Sequence, residues 1–268
     1  MISANSWNPD DRVRRLTDEF RTALNSVPKE AVVRCVLRTP SHAGRGLQRR
    51  LSGAVLLMKR SIVAADDFFV AGMRAAKEGT GREFSRSSLL RGKEMVGNGI
   101  RVTQGVATQI PRWSKSVISD PTESLPEIVG ATLGFLIGSG GLDANGGLPD
   151  LDLLAGIGNH RSFLTHSIIM GAAAEAVLIA LDELIALSHE HLPIDRDPLW
   201  DSLLQIYGRT SGSAKTGVAV GIAYHLAIDG TLQLAAYKDL PFHAPMEMHQ
   251  ALFEANAATE AVHAVKKL

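Results

Sequence analysis

Apolar residues recur every three or four positions along most of the chain, a spacing typical of helices with one buried face. A helix start is predicted at residues 8–11, where a capping asparagine precedes a proline and two aspartates. The same spacing predicts a second helix from about Pro28 and a long helix over residues 47–76. The alternation of apolar and polar residues that marks strands is nearly absent. The pattern therefore predicts an all-α protein built as a multi-helix bundle.

Breaks in this pattern divide the chain. Residues 39–44 and 78–81 are rich in turn-forming residues, and glycines weaken the helical pattern over residues 85–110. Serines and prolines are frequent over residues 111–126, which we interpret as a connector between domains. We therefore predict an N-terminal helical region of unknown role at residues 1–125 and a second helical domain at residues 126–268.

Two apolar stretches are candidates for membrane spans. Residues 128–142 are shorter than the roughly 20 residues that a spanning helix needs. Residues 164–187 are long enough but contain Glu175, Asp182 and Glu183. We therefore predict that both stretches are buried helices of a soluble protein, with peripheral contact to a membrane left open.

Charge and cysteine content narrow the functional classes. Basic and acidic residues balance at 28 each, so the net charge does not indicate a nucleic-acid-binding protein. Basic residues nevertheless cluster at residues 12–15 and 45–50, either as solvated helix faces or as a docking surface for phosphate groups on lipid or nucleic acid. The single cysteine, Cys35, excludes an intramolecular disulfide and fits a reducing compartment. Because the N-terminus shows no signal-peptide pattern, we expect a cytoplasmic location, with the inner face of a membrane as an alternative.

Three histidines and three aspartates lie in the largely apolar second half of the chain. They are Asp150, Asp152, His160, His166, His225 and Asp229. An ionised carboxylate is costly to bury unless it is paired or coordinates a metal, so the set predicts a metal site between the C-terminal helices. Carboxylate and imidazole ligands suit Zn or Mn, and also Mg.

The apolar helix predicted over residues 217–230 carries His225 and Asp229 four positions apart. Side chains at this spacing project side by side, which favours a ligand pair over a histidine that is merely buried in the core. Glycines at four-residue spacing share this stripe, and three more recur over residues 130–138. Such glycines predict that two helices pack closely together.

Asp150, Asp152, His166 and Arg161 have specific expected roles. The two aspartates are expected to converge on the metal, although one of them could instead cap a helix starting near residue 153. His166 opens an apolar helix whose dipole disfavours the imidazolium, and the neutral ring is the form that binds a metal. Arg161 would hold an anionic substrate or an orienting carboxylate, or would form an ordinary surface ion pair.

The order of these motifs resembles the predicted membrane-associated metal-dependent hydrolases of the YdjM type. The resemblance covers about residues 128–231 and rests on a Pro-Asp-Leu-Asp turn, a His-Arg pair, a Thr-His-Ser helix start and the later His225–Asp229 pair. It implies hydrolase activity, with one or two divalent ions per chain. The metal ligands that it implies are Asp150, Asp152, His160, His166, His225 and Asp229. Members of the family usually contain several membrane spans, whereas this chain has no stretch that predicts one.

These observations predict a metal-dependent hydrolase that attacks a phosphoester, either a phosphodiester or a phospholipid-like molecule, with a metal-activated water. Asp150 or Asp152 would be a general base if it is not a ligand, and Arg161 would stabilise developing negative charge. One alternative is a non-catalytic helical metalloprotein that acts as an interaction module. Another is a lipase-like enzyme whose basic N-terminal helices bind anionic lipid.

Two further segments carry candidate chemistry. Gly208–Thr216 is similar to a phosphate-binding loop but lacks the glycine that should precede Lys215, so an ordinary loop is predicted there. Lys215 could still reach a substrate phosphate. His243 is an additional candidate ligand, and His249 is expected to be exposed on a last helix over about residues 245–267.

Overall fold

The structure is a computed structural model that describes residues 9–77, 121–156, 158 and 160–266. All regular elements among these residues are helical, so the predicted all-α bundle is confirmed for this part of the chain. The elements, in order, are α1 (Pro9–Ser26), α2 (Lys29–Lys77), α3 (Pro121–Ser139), a 3₁₀ helix (Pro149–Ala155), α4 (Ile168–Glu190), α5 (Leu199–Thr231) and α6 (Met246–Val265).

The first half of the chain is more continuous than predicted. Helix α2 runs through residues 39–44, where a break was expected, and includes Pro40. Just after these residues, Gly46 lies against Ala172 of α4, so close helix packing outweighs the weak local propensity of this part of α2. The breaks predicted at residues 78–81 and the helical stretch at residues 85–110 lie outside the described residues.

The predicted connector and the predicted domain boundary both overlap a helix in the structure. Helix α3 already begins at Pro121, so the last part of the connector predicted over residues 111–126 is helical, and residues 111–120 lie outside the described ranges. The predicted boundary at residue 125 falls within α3. Helix α2 also packs against α4 and α6. The division into two domains stays a prediction.

The predicted loop at residues 208–216 is wrong, because these residues lie inside α5. The hydroxyl groups of Thr210, Ser213 and Thr216 bond back to carbonyl oxygens of the same helix, whereas Ser211 donates to Asp182 of α4. These bonds satisfy the polar side chains of the segment, and its backbone and Ser213 lie against Gly130 and Gly134 of α3.

Helices α3 and α5 form the tightest contact of the bundle through the predicted glycines. A Cβ atom at Gly134 would overlap the carbonyl oxygen of Ala214, and one at Gly217 would overlap the carbonyl oxygen of Ala131. The backbones touch here, so no larger residue fits without separating the helices. We call this contact the glycine seam; Gly130, Gly134 and Gly138 of α3 and Gly217 and Gly221 of α5 form it.

Gly217→Ala is expected to destabilise the protein by about 1–3 kcal/mol, because the added methyl group forces the seam apart. Gly212→Ala on the same helix is the control, since a Cβ there meets no atom within 4 Å. It should raise stability by up to about 1 kcal/mol through better helix propensity. Urea denaturation of both variants measures the difference in their free energies of unfolding. Equal denaturation midpoints would contradict the prediction that the glycine seam excludes a larger side chain.

The hydrophobic core lies beside the C-terminal half of α5. Ile222, Leu226 and Phe253 are fully buried there, and Phe253 stacks on Tyr237 with ring centroids 4.1 Å apart. None of the described helices combines the length and the apolar character that a membrane span requires.

Arg50 connects α2 to the rest of the bundle. Its guanidinium is buried and donates to Glu175 of α4 over 2.6 Å and to Glu260 of α6 over 2.5 Å. A buried charge requires such partners, so these ion pairs determine how α2 docks on α4 and α6. Cys35 is buried on the same helix, as predicted.

Candidate metal centre

The six predicted metal-binding side chains meet at one end of the bundle. The 3₁₀ helix supplies Asp150 and Asp152, and the segment before α4 supplies His160 and His166. His225 and Asp229 lie in the C-terminal part of α5. Each of the six has a nitrogen or oxygen atom within 3.2–3.6 Å of another member. The structure thus contains buried His/Asp groups that could hold a metal ion.

Four of these side chains form a closed ring of donor atoms. His166 Nε2 lies 3.4 Å from Asp150 Oδ1 and 3.5 Å from Asp229 Oδ2. His225 Nε2 completes the ring, 3.6 Å from Asp150 Oδ1 and 3.5 Å from Asp229 Oδ2. Ligands bonded to Zn²⁺ at about 2.0–2.2 Å in tetrahedral geometry lie about 3.3–3.6 Å apart. The four spacings around the ring are compatible with a bound metal ion.

The hydrogen bonding of the ring atoms supports the same conclusion. Asp150 Oδ1, His166 Nε2 and Asp229 Oδ2 are buried and make no hydrogen bond with the described residues. Buried polar atoms almost always have a partner, and each exception calls for an explanation. A cation between them would supply the missing partner of all three atoms, since His166 Nε2 lies 3.4 Å from the Asp150 oxygen and 3.5 Å from the Asp229 oxygen.

The outer nitrogen of each ring histidine is held by the protein. His225 Nδ1 lies 3.1 Å from the carbonyl oxygen of Ser139, which can only accept, so Nδ1 donates and Nε2 keeps its lone pair. His166 Nδ1 lies 3.2 Å from Asp152 Oδ2, and its Nε2 is likewise directed into the ring. Metal-binding histidines are commonly oriented by a carbonyl or carboxylate in this way.

Asp152 therefore stands behind His166 rather than in the ring. Its Oδ2 accepts hydrogen bonds from the Ser162 backbone N–H over 2.9 Å and from the Thr165 hydroxyl over 2.7 Å. Burial alone raises the pKa of the Asp152 carboxyl, but these donors outweigh it and hold the pKa below its ordinary value. The anionic carboxylate can then orient His166.

Neither Asp150 nor Asp152 caps a helix in the structure, so the capping role considered for one of them is not observed. Asp150 Oδ2 accepts from the Gly146 N–H over 2.5 Å within the preceding loop. Helix α4 is capped by Ser167, whose hydroxyl accepts from the Ile169 N–H, and no capping bond comes from Thr165.

His160 stands at the open side of the ring. Its Nδ1 lies 3.5 Å from Asp150 Oδ1 and 3.5 Å from Asp152 Oδ1, and its side chain is partly exposed. Asp150, His160 and His166 form a second set of donors that could hold an ion. Asp150 and His166 belong both to this set and to the ring, so the two sets overlap rather than forming two separate sites.

Arg161 borders the ring on the side of Asp229. Its Nη2 lies 3.4 Å from Asp229 Oδ1 and also donates to Gln233. Its backbone adopts φ 68°, a left-handed conformation that is strained for a residue with a Cβ and is concentrated at functional sites. The surface ion pair considered for Arg161 is in fact a contact with a ring carboxylate.

The charges around the ring make a proton and a metal cation compete for the same imidazole nitrogen. Burial lowers the pKa of His225, but the nearby Asp229 carboxylate, the hydrogen bond to the Ser139 carbonyl and the negative charge of Asp150 outweigh burial and raise it. Burial also raises the pKa of Asp150, whereas His166 and His225 lower it below its ordinary value. Metal binding to such a site requires the neutral imidazole and therefore weakens as the pH falls.

Sequence reasoning missed several groups around the ring. The Ser139 carbonyl, the Ser162 N–H and Gln233 carry no motif, because backbone groups and lone polar residues show no spacing signal. His249 is buried and accepts from the Tyr237 N–H over 3.1 Å, so its predicted exposure is wrong. His243 lines a separate cavity with Tyr237 and lies outside the donor sets found among the described residues.

Comparison with protein-family models, curated proteins and solved structures finds no match to the chain. The geometry of the ring and the sequence motifs that predicted its residues are therefore the basis for assigning a function.

Proposed function

We propose that this protein is a metal-dependent hydrolase that acts on a phosphoester. The observation that carries the proposal is the four-donor ring, in which three buried atoms face one another without hydrogen-bond partners among the described residues. A zinc or manganese ion held there supplies a Lewis acid and lowers the pKa of water toward neutrality. The contribution of Mg²⁺ would be similar, but it favours oxygen ligands.

The chain provides further groups for hydrolysis. Arg161 can donate to the negative charge that develops on a phosphoryl oxygen, because its guanidinium borders the ring. Asp152 can take up a proton at Oδ1, since its Oδ2 is held by Ser162 and Thr165. His160 is the most exposed donor of the cluster and lies on the path by which substrate enters.

Exposed leucines in the segments that carry the ring favour a phospholipid-like substrate over a simple phosphodiester. Leu142 and Leu154 are 79% and 87% exposed, and Leu232, just after α5, is 73% exposed. Leu142 follows α3, Leu154 lies in the 3₁₀ helix that supplies Asp150, and Leu232 follows α5, so each is close in sequence to a residue of the ring or to the Ser139 carbonyl. Single exposed apolar residues are ordinary, but a group of them beside a polar site favours contact with an apolar partner. We propose that acyl chains of a lipid phosphoester, or the membrane that contains it, occupy this side.

A ring of four protein donors is also compatible with a structural, non-catalytic metal site. Structural zinc sites are closed by four protein ligands, whereas catalytic sites keep a position open for water. A non-catalytic metalloprotein would use the same ring to join the 3₁₀ helix, α4 and α5. Turnover of a substrate separates the two functions, because both require the metal.

Removal of the metal is the direct test of the ring. Purified protein is expected to carry one or two zinc or manganese ions per chain by mass spectrometry, and a chelator should lower its melting temperature. At a free metal concentration of about 100 times the Kd, the stabilisation is about 2.7 kcal/mol. The metal-loaded protein should hydrolyse bis-p-nitrophenyl phosphate or a short-chain phospholipid. Protein that binds no zinc or manganese after dialysis against either ion contradicts the proposal, and metal binding without any turnover supports the non-catalytic alternative.

A further inference from the structure

A second polar cavity of about 730 Å³ lies between α2, α4, α5 and α6. Among the described residues, its lining includes five basic side chains and one carboxylate, that of Glu175. The basic residues are Arg49, Arg50, Lys215, His263 and Lys266. None of the six metal-site residues borders it. The cavity is therefore a separate feature, which we call the basic cavity.

The carboxylate of the basic cavity is already neutralised. Glu175 accepts from Arg49 over 2.9 Å and from Arg50 over 2.6 Å, and its Oε2 lies 2.9 Å from His263 Nε2. Arg50 is 1% exposed and also donates to Glu260, which has no exposed side-chain surface. The buried floor of the cavity is thus a network of charges held in fixed positions.

The two lysines of the lining differ in their partners. Lys215 is paired with Asp182, which does not border the cavity, whereas Lys266 forms no ion pair with the described residues. Hydroxyl and amide groups of Gln48, Ser52 and Thr259 add neutral hydrogen-bonding groups. A concave site in which positive charges outnumber negative ones attracts anions.

The basic segment at residues 45–50 has two different environments in the structure. Arg45 bonds to Ser41 and His42 on the surface of α2, which fits a solvated helix face. Arg49 and Arg50 instead border the basic cavity. The sequence left open whether this segment docks phosphate groups, and these two arginines have the position that such a role requires.

We propose that the basic cavity binds a small phosphate-bearing molecule. Its volume lies within the range of about 300–1,000 Å³ that is usual for small-molecule sites. Arginine and lysine together recognise phosphate by forked hydrogen bonds and by point charge. The neutral groups along the wall suit the remainder of the molecule, and the apolar side chains of Ile179 and Val262 suit its carbon skeleton.

The test is calorimetric titration of the full chain with inorganic pyrophosphate in a chelator, which prevents phosphate from binding through a metal. We expect saturable binding that Arg49→Gln and Lys266→Gln each weaken about tenfold, since each removes one charge-assisted contact. Arg34→Gln is the matched control, because Arg34 is exposed elsewhere on α2 and its replacement changes the net charge equally. Neither Arg49 nor Lys266 is buried, so melting curves should show folded variants.

Two comparisons make the outcome decisive. His225→Ala should bind pyrophosphate as the wild type does, even if the proposed hydrolase fails for lack of a metal. Vesicles of phosphatidic acid, compared with free pyrophosphate, show whether the phosphate belongs to a lipid headgroup or to a free molecule, and binding of either that depends on Arg49 and Lys266 supports the cavity. Absence of binding to both probes, or equal affinity in all three charge variants, overturns the proposal.

Discussion

His225→Ala is expected to abolish metal binding and, with it, any hydrolysis. The ring loses one of four donors, and the Ser139 carbonyl loses the group that it orients. Changing only the groups that orient a metal ligand costs about 10–100-fold in affinity or activity, so loss of the ligand itself should cost at least about 100-fold. Metal content by mass spectrometry and turnover at saturating zinc measure the two effects separately.

His243→Ala is the matched control for this prediction. His243 was also a candidate from the sequence, but it lies in the loop before α6 and outside the donor sets among the described residues. The control variant should keep wild-type metal content and activity. Full metal occupancy in His225→Ala, or an equal loss in both variants, would show that the ring is not the binding site.

Arg50→Ala is expected to destabilise the folded protein by about 3–5 kcal/mol, the usual cost of removing one partner from a buried ion pair. Its guanidinium is 1% exposed and neutralises part of the charge on Glu175 and Glu260, which are themselves buried. The variant leaves these two buried carboxylates with less compensating positive charge. Urea denaturation at neutral pH gives the change in the free energy of unfolding.

Two comparisons show whether this effect comes from the buried charge. Arg34→Ala removes an exposed arginine from the same helix and should change stability by less than about 0.5 kcal/mol. Adding Glu260→Gln to Arg50→Ala should restore part of the lost stability, because it removes a buried negative charge. If the double variant is as unstable as the sum of the two single variants, the ion pair contributes no coupling energy.

The elements that could be predicted from the sequence are those with a strong local pattern. His225 and Asp229 are four positions apart on an apolar helix, and the structure brings their ring atoms within 3.5 Å. The glycine stripes of α3 and α5 likewise predicted a close contact, which the structure shows. Both inferences depend only on helical geometry, and the apolar character of the helices made that geometry clear.

Other features depend on contacts that are distant along the chain. Residues 208–216 look like a loop when taken alone, but their small side chains are required where α5 meets α3. The sequence does not distinguish among the basic residues at 45–50, yet Arg50 is buried because Glu175 and Glu260 lie where α2 packs. The distinction between Asp150 in the ring and Asp152 behind it likewise depends on Ser162 and Thr165. Local propensity does not contain this information.

The glycine seam has a consequence for the order of events in folding. It brings the Ser139 carbonyl to His225, and the two residues are separated by 86 positions along the chain. Contacts between distant segments form late, because the loop between them must close before any contact offsets the entropy lost. We therefore expect His225 to take its final orientation in the ring only after α3 and α5 have docked. A cation bound there would stabilise the native state more than the transition state, so that it would slow unfolding and leave the folding rate almost unchanged.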